Sequence, residues 1–218
     1  MSDATITLYG DAFYISPYVF NCYVALKEKG VPFTYTPIAL QSAEQRSADF
    51  AAKSVTSRVP ALTHGDFALA ESSAIVEYLE DVFTPPSYPA LLPRAPRDRA
   101  RARQIMAWIR SDLMALREER STHTMFYQRA TRPLSDAGRA AVEKLFRVAD
   151  GLLPAGKPTL FGDLSIADAD LAFMLDRLIR NGDDVPNRLR DYAIEILARP
   201  SAREFLDVKR IPYVDYTY

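Results

Sequence analysis

Val59-Pro60-Ala61-Leu62-Thr63-His64-Gly65-Asp66-Phe67-Ala68-Leu69-Ala70-Glu71-Ser72-Ser73 is the stretch whose reading decides the fold of the first part of this chain. Two short apolar runs flank His64-Gly65-Asp66, which predicts a β-hairpin with His64 exposed in the turn. Glu71-Ser72-Ser73 then opens a helix whose apolar stripe is Ile75, Val76, Leu79 and Val82. Toward the N-terminus, Ile6 and Leu8 share one face of a β-rich run that Gly10-Asp11 breaks. Ser16-Pro17 reads as an N-cap followed by proline at the first helical position. Val19, Cys22, Tyr23 and Leu26 follow at helical spacing, and Gly30 ends that helix. Phe33 to Ile38 is a second strand, and Pro37, having no N–H to give a ladder, puts it at a sheet edge. The polar stretch from Gln41 to Ser57 lacks a period and reads as loop and short helix. Strand, helix, strand, irregular helix, hairpin and helix make an α/β layer over residues 1–83.

Beyond it the pattern changes. Residues 84–96 hold five prolines in thirteen positions, so 84–97 reads as a stiff linker. Residues 98–218 then read as an all-helical domain. Ile105, Trp108, Ile109, Leu113 and Leu116 form one stripe, and Ser135 caps a second helix carrying Val142, Leu145, Ala149 and Leu152. Ser165-Ile166-Ala167-Asp168 is a capping box, with Leu164 at the staple position and Leu171, Leu175 and Leu178 following. A fourth helix runs near Leu189–Leu197 and stops before Pro200.

The 218 residues are 48% hydrophobic and 25% charged with no run of 18 apolar residues. That excludes a transmembrane helix, a collagen-like fibre and a wholly disordered chain. With 27 basic and 28 acidic residues the net charge is −1, so no overall field draws the chain to nucleic acid or anionic lipid. Arg94, Arg97, Arg99, Arg101 and Arg103 cluster without interleaved aromatics, as in a solvated helix face or ion pairs at a subunit interface. Met1-Ser2-Asp3-Ala4 has no basic residue, so a cleavable signal peptide is not expected. A single cysteine, Cys22, cannot form an internal disulfide, which fits a cytoplasmic setting. Two histidines, His64 and His123, and no paired-cysteine motif give no reason to expect a metal. Cys22 lies on the apolar stripe of its helix and reads as a buried core thiol.

In their order, Ser16-Pro17, Val59-Pro60, Glu71-Ser72 and Ser165-Ile166-Ala167-Asp168 resemble the glutathione transferase superfamily over essentially the whole chain. Glu71 to Asp81 and Arg103-Gln104-Ile105-Met106-Ala107-Trp108 are similar to its bacterial YfcF-like branch. The resemblance implies a thioredoxin-like N-terminal domain followed by an all-α domain, with glutathione as co-substrate, no metal, and a homodimer. It makes Val59-Pro60 a cis bond that turns the Val59 backbone toward the cysteinyl unit. X–Pro is where cis costs only about 0.5–1 kcal/mol. It gives Ser72 the γ-glutamyl carboxylate, at a helix N-terminus suited to an anion, and gives Glu71 the adjacent ammonium. Arg58, with Lys53 as a second candidate, is placed near the glycyl carboxylate.

Ser16 becomes the hydroxyl donor to the glutathione sulfur. Moving a thiol from pKa about 8.5 to about 6.5 needs about 2.7 kcal/mol. One hydrogen bond to a charged group gives about 1.5–3 kcal/mol and a helix N-terminus about 0.3–1. Tyr9 and Tyr14 are rival donors, Asn21 is a further candidate, and Ser16 as a simple N-cap is the plainer alternative. Because the start of the helix holds Ser16 rather than a cysteine, mixed-disulfide chemistry on the protein is disfavoured. Phe13 and Tyr14, Met125, Phe126 and Tyr127, and the tail tyrosines Tyr213, Tyr216 and Tyr218 are candidates to line the apolar site. The implied function is conjugation of glutathione to apolar electrophiles, or glutathione-dependent reduction of a peroxide or disulfide. The alternatives are a glutathione-dependent isomerase and a non-catalytic ligand- or protein-binding module.

Overall fold

The computed structural model describes residues 5–216, among which the chain forms four strands and ten α-helices. β1 (Ile6–Asp11) runs parallel to β2 (Thr34–Ile38) and antiparallel to β3 (Ala61–His64), which pairs with antiparallel β4 (Phe67–Ala70). The sheet order is therefore β2-β1-β3-β4, with the Pro37 strand at one edge. α1 (Pro17–Glu28) joins β1 to β2. Two 3-10 turns, Leu40–Ser42 and Glu44–Arg46, and the short α2 (Ala48–Ala51) lead to β3, and α3 (Ser72–Val82) follows β4.

Gly10-Asp11 extends β1 instead of breaking it, pairing with Pro37 and Ile38. The glycine is required there by space: a Cβ would lie 2.2 Å from the Tyr35 hydroxyl and 2.5 Å from Val19. His64 likewise stands in β3 rather than in the turn. It is half-buried, with Nδ1 2.8 Å from the Tyr78 hydroxyl, and Gly65 at φ +63 makes the turn. Val82 is 37% exposed, so the apolar stripe of α3 ends at Leu79.

The helices that follow are α4 (Pro96–Ser111), α5 (Met114–Glu119), α6 (Thr122–Phe126), α7 (Asp136–Leu152), α8 (Ile166–Asn181), α9 (Asn187–Leu197) and α10 (Pro200–Leu206). The stripe expected to run unbroken from Ile105 to Leu116 is interrupted between α4 and α5. Leu113 is left-handed at φ +62, and the Asp112 carboxylate accepts its N–H at 2.7 Å and that of the Trp108 indole at 2.9 Å. α8 is buried on every face from Ile166 to Leu178, which makes it the central helix of its unit. The fourth expected helix, α9, stops before Pro200 as read from the sequence, and Pro200 opens a further helix, α10, where a missing N–H costs nothing.

The chain divides into two compact units, residues up to Leu91 with those from Ser201 onward, and Leu92–Pro200. The tail thus groups with the first unit, where the sequence had assigned it to a helical domain ending at 218. The cause is visible in Arg210, whose guanidinium donates to the carbonyls of Tyr14 at 3.0 Å and Leu206 at 3.0 Å. Phe13 is also packed between Tyr213 and Tyr216, with ring centroids 5.2 and 5.7 Å away. Within the same unit, buried Lys29 pairs with Glu80 at 2.8 Å and donates to the carbonyls of Phe83 and Pro89 at 2.9 Å. Glu80 in turn accepts the Leu91 N–H at 2.7 Å, tying the ends of α1 and α3 to the proline-rich segment.

Candidate functional site

The register of the sheet gathers the singled-out residues at one end. Tyr9 lies opposite Ala61, and Ala61 opposite Ala70, so the loop after β1, the entry to β3 and the exit from β4 leave the sheet together. Ser16 follows the first of these, Val59-Pro60 precedes the second and Glu71-Ser72 follows the third. Cys22 adds a tie between helices: its thiol, fully buried as expected, donates to the Ser72 carbonyl at 3.7 Å.

Ser16 is the N-cap of α1, with extended backbone (φ −69, ψ 121) and Pro17 in the first helical position. Its Oγ accepts the Val19 N–H at 3.3 Å, and its own N–H donates to the Asp11 carboxylate at 3.0 Å. Among the described residues the Ser16 hydroxyl proton has no acceptor, so it is uncommitted. The serine is only 7% exposed, and any anion it met would be shielded from competing water. Pro17 has no N–H, so the hydroxyl is the polar group that this helix start offers first.

The Val59–Pro60 bond is cis, and Val59 is buried. Arg58 is exposed, while its main chain is held by Ser54, whose Oγ donates to the Arg58 carbonyl at 2.8 Å and accepts its N–H at 3.2 Å. Lys53, the second candidate, is paired with Asp49 at 2.6 Å. Glu71 is the N-cap of α3 at φ +71 and ψ 116, with an exposed carboxylate that makes no cap bond. A non-glycine residue held at positive φ costs about 1–3 kcal/mol, and such residues cluster where ligands are clamped. Ser72 behind it is buried at the first turn of α3.

The rival donors are placed otherwise. Tyr14, itself at φ +54, stacks its ring on Tyr35 with centroids 4.5 Å apart. Burial, and then the charge of Asp11, push its phenol above the ordinary tyrosine range. Tyr9 packs edge-on against Phe50. Asn21 is fully buried on α1. Of the apolar candidates, Phe13 lies with Tyr213 and Tyr216 in the first unit, and Tyr218 falls outside the described residues. In the second unit Met125 is buried and Phe126 packs near Phe173 under the Arg180 guanidinium.

Sequence reasoning missed two features. One is Asp11, fully buried, whose carboxylate also takes the Ile15 N–H at 2.9 Å. The available signal was an acid five residues before a Ser-Pro cap, hidden because Gly-Asp reads as a turn. The other is a cavity of about 350 Å³ in the first unit, lined by Leu40, Gln41, Ala43, Arg46, Asp215 and Tyr216. Gln41 brings to it a buried Oε1 with no hydrogen-bond partner. Among the described residues there is no cluster of three or more metal-ligating side chains, and no helix is long and apolar enough to cross a membrane.

A βαβ–ββα sheet unit with a serine-capped first helix and a cis X–Pro before its third strand, joined to an all-helical unit, defines a glutathione-transferase-like protein. Residues 4–81 match the glutathione S-transferase N-terminal domain and residues 96–210 the glutathione S-transferase C-terminal domain. The chain belongs to the glutathione transferase superfamily. It is 32% identical over 175 residues to glutathione S-transferase U17 of Arabidopsis thaliana, covering 79% of this chain and 72% of that one. A solved glutathione transferase homologue from Burkholderia gl BGR1, with bound glutathione, is 41% identical with a TM-score of 0.78, over 93% of this chain and 97% of that chain. A 97-residue match at 35% identity, 44% of each chain, is to maleylpyruvate isomerase of Ralstonia sp..

Proposed function

We propose that the protein binds glutathione in its first unit and stabilises the thiolate through the Ser16 hydroxyl, for transfer to an apolar electrophile or for reduction of a peroxide or disulfide. The observation that carries this reading is the uncommitted hydroxyl proton of Ser16 at the start of α1. A serine Oγ that accepts the Val19 N–H is polarised toward donation, and a thiolate is the anion that the site's co-substrate would present. The Ser72 end of α3 would take the γ-glutamyl carboxylate, Glu71 the ammonium, Val59 the cysteinyl main chain, and Arg58 the glycyl carboxylate. Arg46, at the rim of the 350 Å³ cavity, is a second cation within the same unit for that carboxylate. The solved homologue with bound glutathione supports glutathione as the co-substrate. A homodimer, a cytoplasmic setting and a part in detoxification or the oxidative-stress response belong to the same proposal, in line with the YfcF-like branch.

Titrating thiolate absorbance of glutathione bound to wild type and to Ser16→Ala tests the reading. A thiol pKa on the wild-type protein equal to that of free glutathione would overturn it and favour a non-catalytic ligand- or protein-binding module. Turnover of an aryl halide, a hydroperoxide and a small disulfide, measured side by side, assigns the second substrate. The resemblance to maleylpyruvate isomerase favours one further reading, a glutathione-dependent isomerase using the same site. Turnover of maleylpyruvate at a rate above all three other substrates would replace the transferase reading with that one.

A further inference from the structure

We propose that Asp11 is a positioning residue for the Ser16 hydroxyl, setting the glutathione thiol pKa through the backbone it holds rather than through its charge. The inference rests on the Ser16 reading above. Asp11 ends β1 and is fully buried, and each carboxylate oxygen takes a different main-chain N–H, Ile15 on Oδ1 at 2.9 Å and Ser16 on Oδ2 at 3.0 Å. Its own carbonyl accepts the Tyr14 N–H at 3.2 Å and the Tyr35 hydroxyl at 2.9 Å. The five residues that lead into α1 are therefore closed on one side chain and one carbonyl. Arg210 holds the same loop from outside, through the Tyr14 carbonyl at 3.0 Å. Tyr14 is left-handed at φ +54, a conformation that persists only where surrounding bonds impose it.

The arrangement has a consequence for chemistry. With its N–H fixed on Asp11 and its Oγ accepting from Val19, Ser16 has one remaining freedom, the direction of its hydroxyl proton. A donor fixed in this way gives up little entropy and needs no reorganisation when charge develops on sulfur. Against this stands the field of a buried carboxylate, which would oppose a nearby thiolate. Burial pushes the Asp11 carboxyl above the usual carboxylate range, and the Ile15 and Ser16 N–H groups and, last, the Arg210 guanidinium pull it back only in part, which weakens that field. The two influences have opposite signs, so a substitution can tell them apart.

Asp11→Asn keeps the size of the side chain, removes the charge and turns an NH2 donor toward one of the two N–H groups. If position governs, the thiol pKa of bound glutathione rises by about one unit, and kcat near pH 6.5 falls about fivefold. The KM for glutathione then stays within about threefold, because the groups that hold its ends are untouched. If the field governs, the thiol pKa falls, and a fall or an unchanged value overturns the proposal. Tyr35→Phe leaves the Asp11 charge in place, keeps the stack on Tyr14 and removes the donor to the Asp11 carbonyl. It should raise the thiol pKa by less, with the same sign, and an unchanged value counts against the proposal even if Asp11→Asn fails to fold. In a Ser16→Ala background Asp11→Asn should raise the thiol pKa no further, leaving only the small fall due to the lost charge, and a full additional rise would show that Asp11 does not act through Ser16. If Ser16→Ala alone leaves the thiol pKa unchanged, the donor reading fails first. If Ser16→Ala raises it and Asp11→Asn does not, only the present inference falls.

Discussion

Ser16 and Ser165 are the same residue in the same local setting, a helix N-cap beside a fully buried aspartate, and they spend their hydrogen bonds differently. At Ser165 both the N–H and the hydroxyl donate to Asp168 Oδ2, each at 2.8 Å. The other oxygen of Asp168 takes the Leu160 N–H at 2.8 Å and the Tyr192 hydroxyl at 2.9 Å. Every donor there is consumed. At Ser16 the acid lies five residues before the cap, where it reaches the backbone and not the Oγ, so the N–H is fixed and the hydroxyl proton is left over. The acid three residues after Ser165 closes a capping box, whereas the acid before Ser16 fixes the backbone and leaves the hydroxyl proton uncommitted. Under the proposed function, that difference is what separates a structural cap at Ser165 from a thiol-facing one at Ser16.

The largest expected effect is on the structural side. Asp168→Ala strips the partner from the Leu160 N–H, the Ser165 N–H and two hydroxyls in a buried site. Urea unfolding should show a loss of about 3–4 kcal/mol, each buried unpaired group costing about 1–3. Glutathione bound to the fraction that remains folded should keep the wild-type thiol pKa. A shifted thiol pKa in this variant would erase the distinction between the two serines. Ser16→Ala should show the reverse pattern. Its stability loss should stay near the ordinary value for a cap, about 1 kcal/mol. The bound thiol pKa should rise by about one to two units, as expected for losing one hydrogen bond to a charged group. Next in size is Ser165→Ala, with a stability loss of about 1–2 kcal/mol and an unchanged thiol titration.

Features governed by a few neighbouring residues were legible in the sequence. Ser16-Pro17 and Ser135 cap their helices because a short side chain reaches an N–H three residues on. Gly30, at φ +66, ends α1 because only glycine takes that conformation freely. Pro37 placed β2 at the edge through its missing N–H. What escaped was set by partners distant in the chain. Gly10-Asp11 stays in the strand because Tyr35, twenty-four residues beyond Asp11, bonds its carbonyl. His64 leaves the turn for a partner on α3, and the tail returns to the first unit through Arg210 and two tyrosines whose neighbours lie near residue 14. For the candidate site, Ser16, Val59, Glu71 and Ser72 stand where the strands bring their loops to one end, a placement that the element order implied. Asp11 was not legible as a site residue, since a Gly-Asp pair at a strand end reads most simply as punctuation.

The smallest effect in this comparison is a dependence on pH, and it tests whether burial or hydrogen bonding dominates at Asp168. Burial pushes the Asp168 carboxyl above the usual carboxylate range, and the bonds from Leu160, Ser165 and Tyr192 pull it back only in part. When the folded value exceeds the unfolded one, the folded state binds more protons between the two, so stability falls as pH rises through that window. The contribution is therefore complete below the unfolded value of about 3.9 and is lost as pH climbs through the raised folded value. Asp168→Asn cannot titrate. The stability advantage of wild type over this variant, measured by urea unfolding across the acid range, should accordingly be widest at the acid end and narrow toward neutrality. An advantage that widens with pH would mean that four donors on one carboxylate outweigh its burial. Asp168 would then be a charge held by its bonds, and the box at Ser165 would owe its strength to ionisation rather than to enclosure.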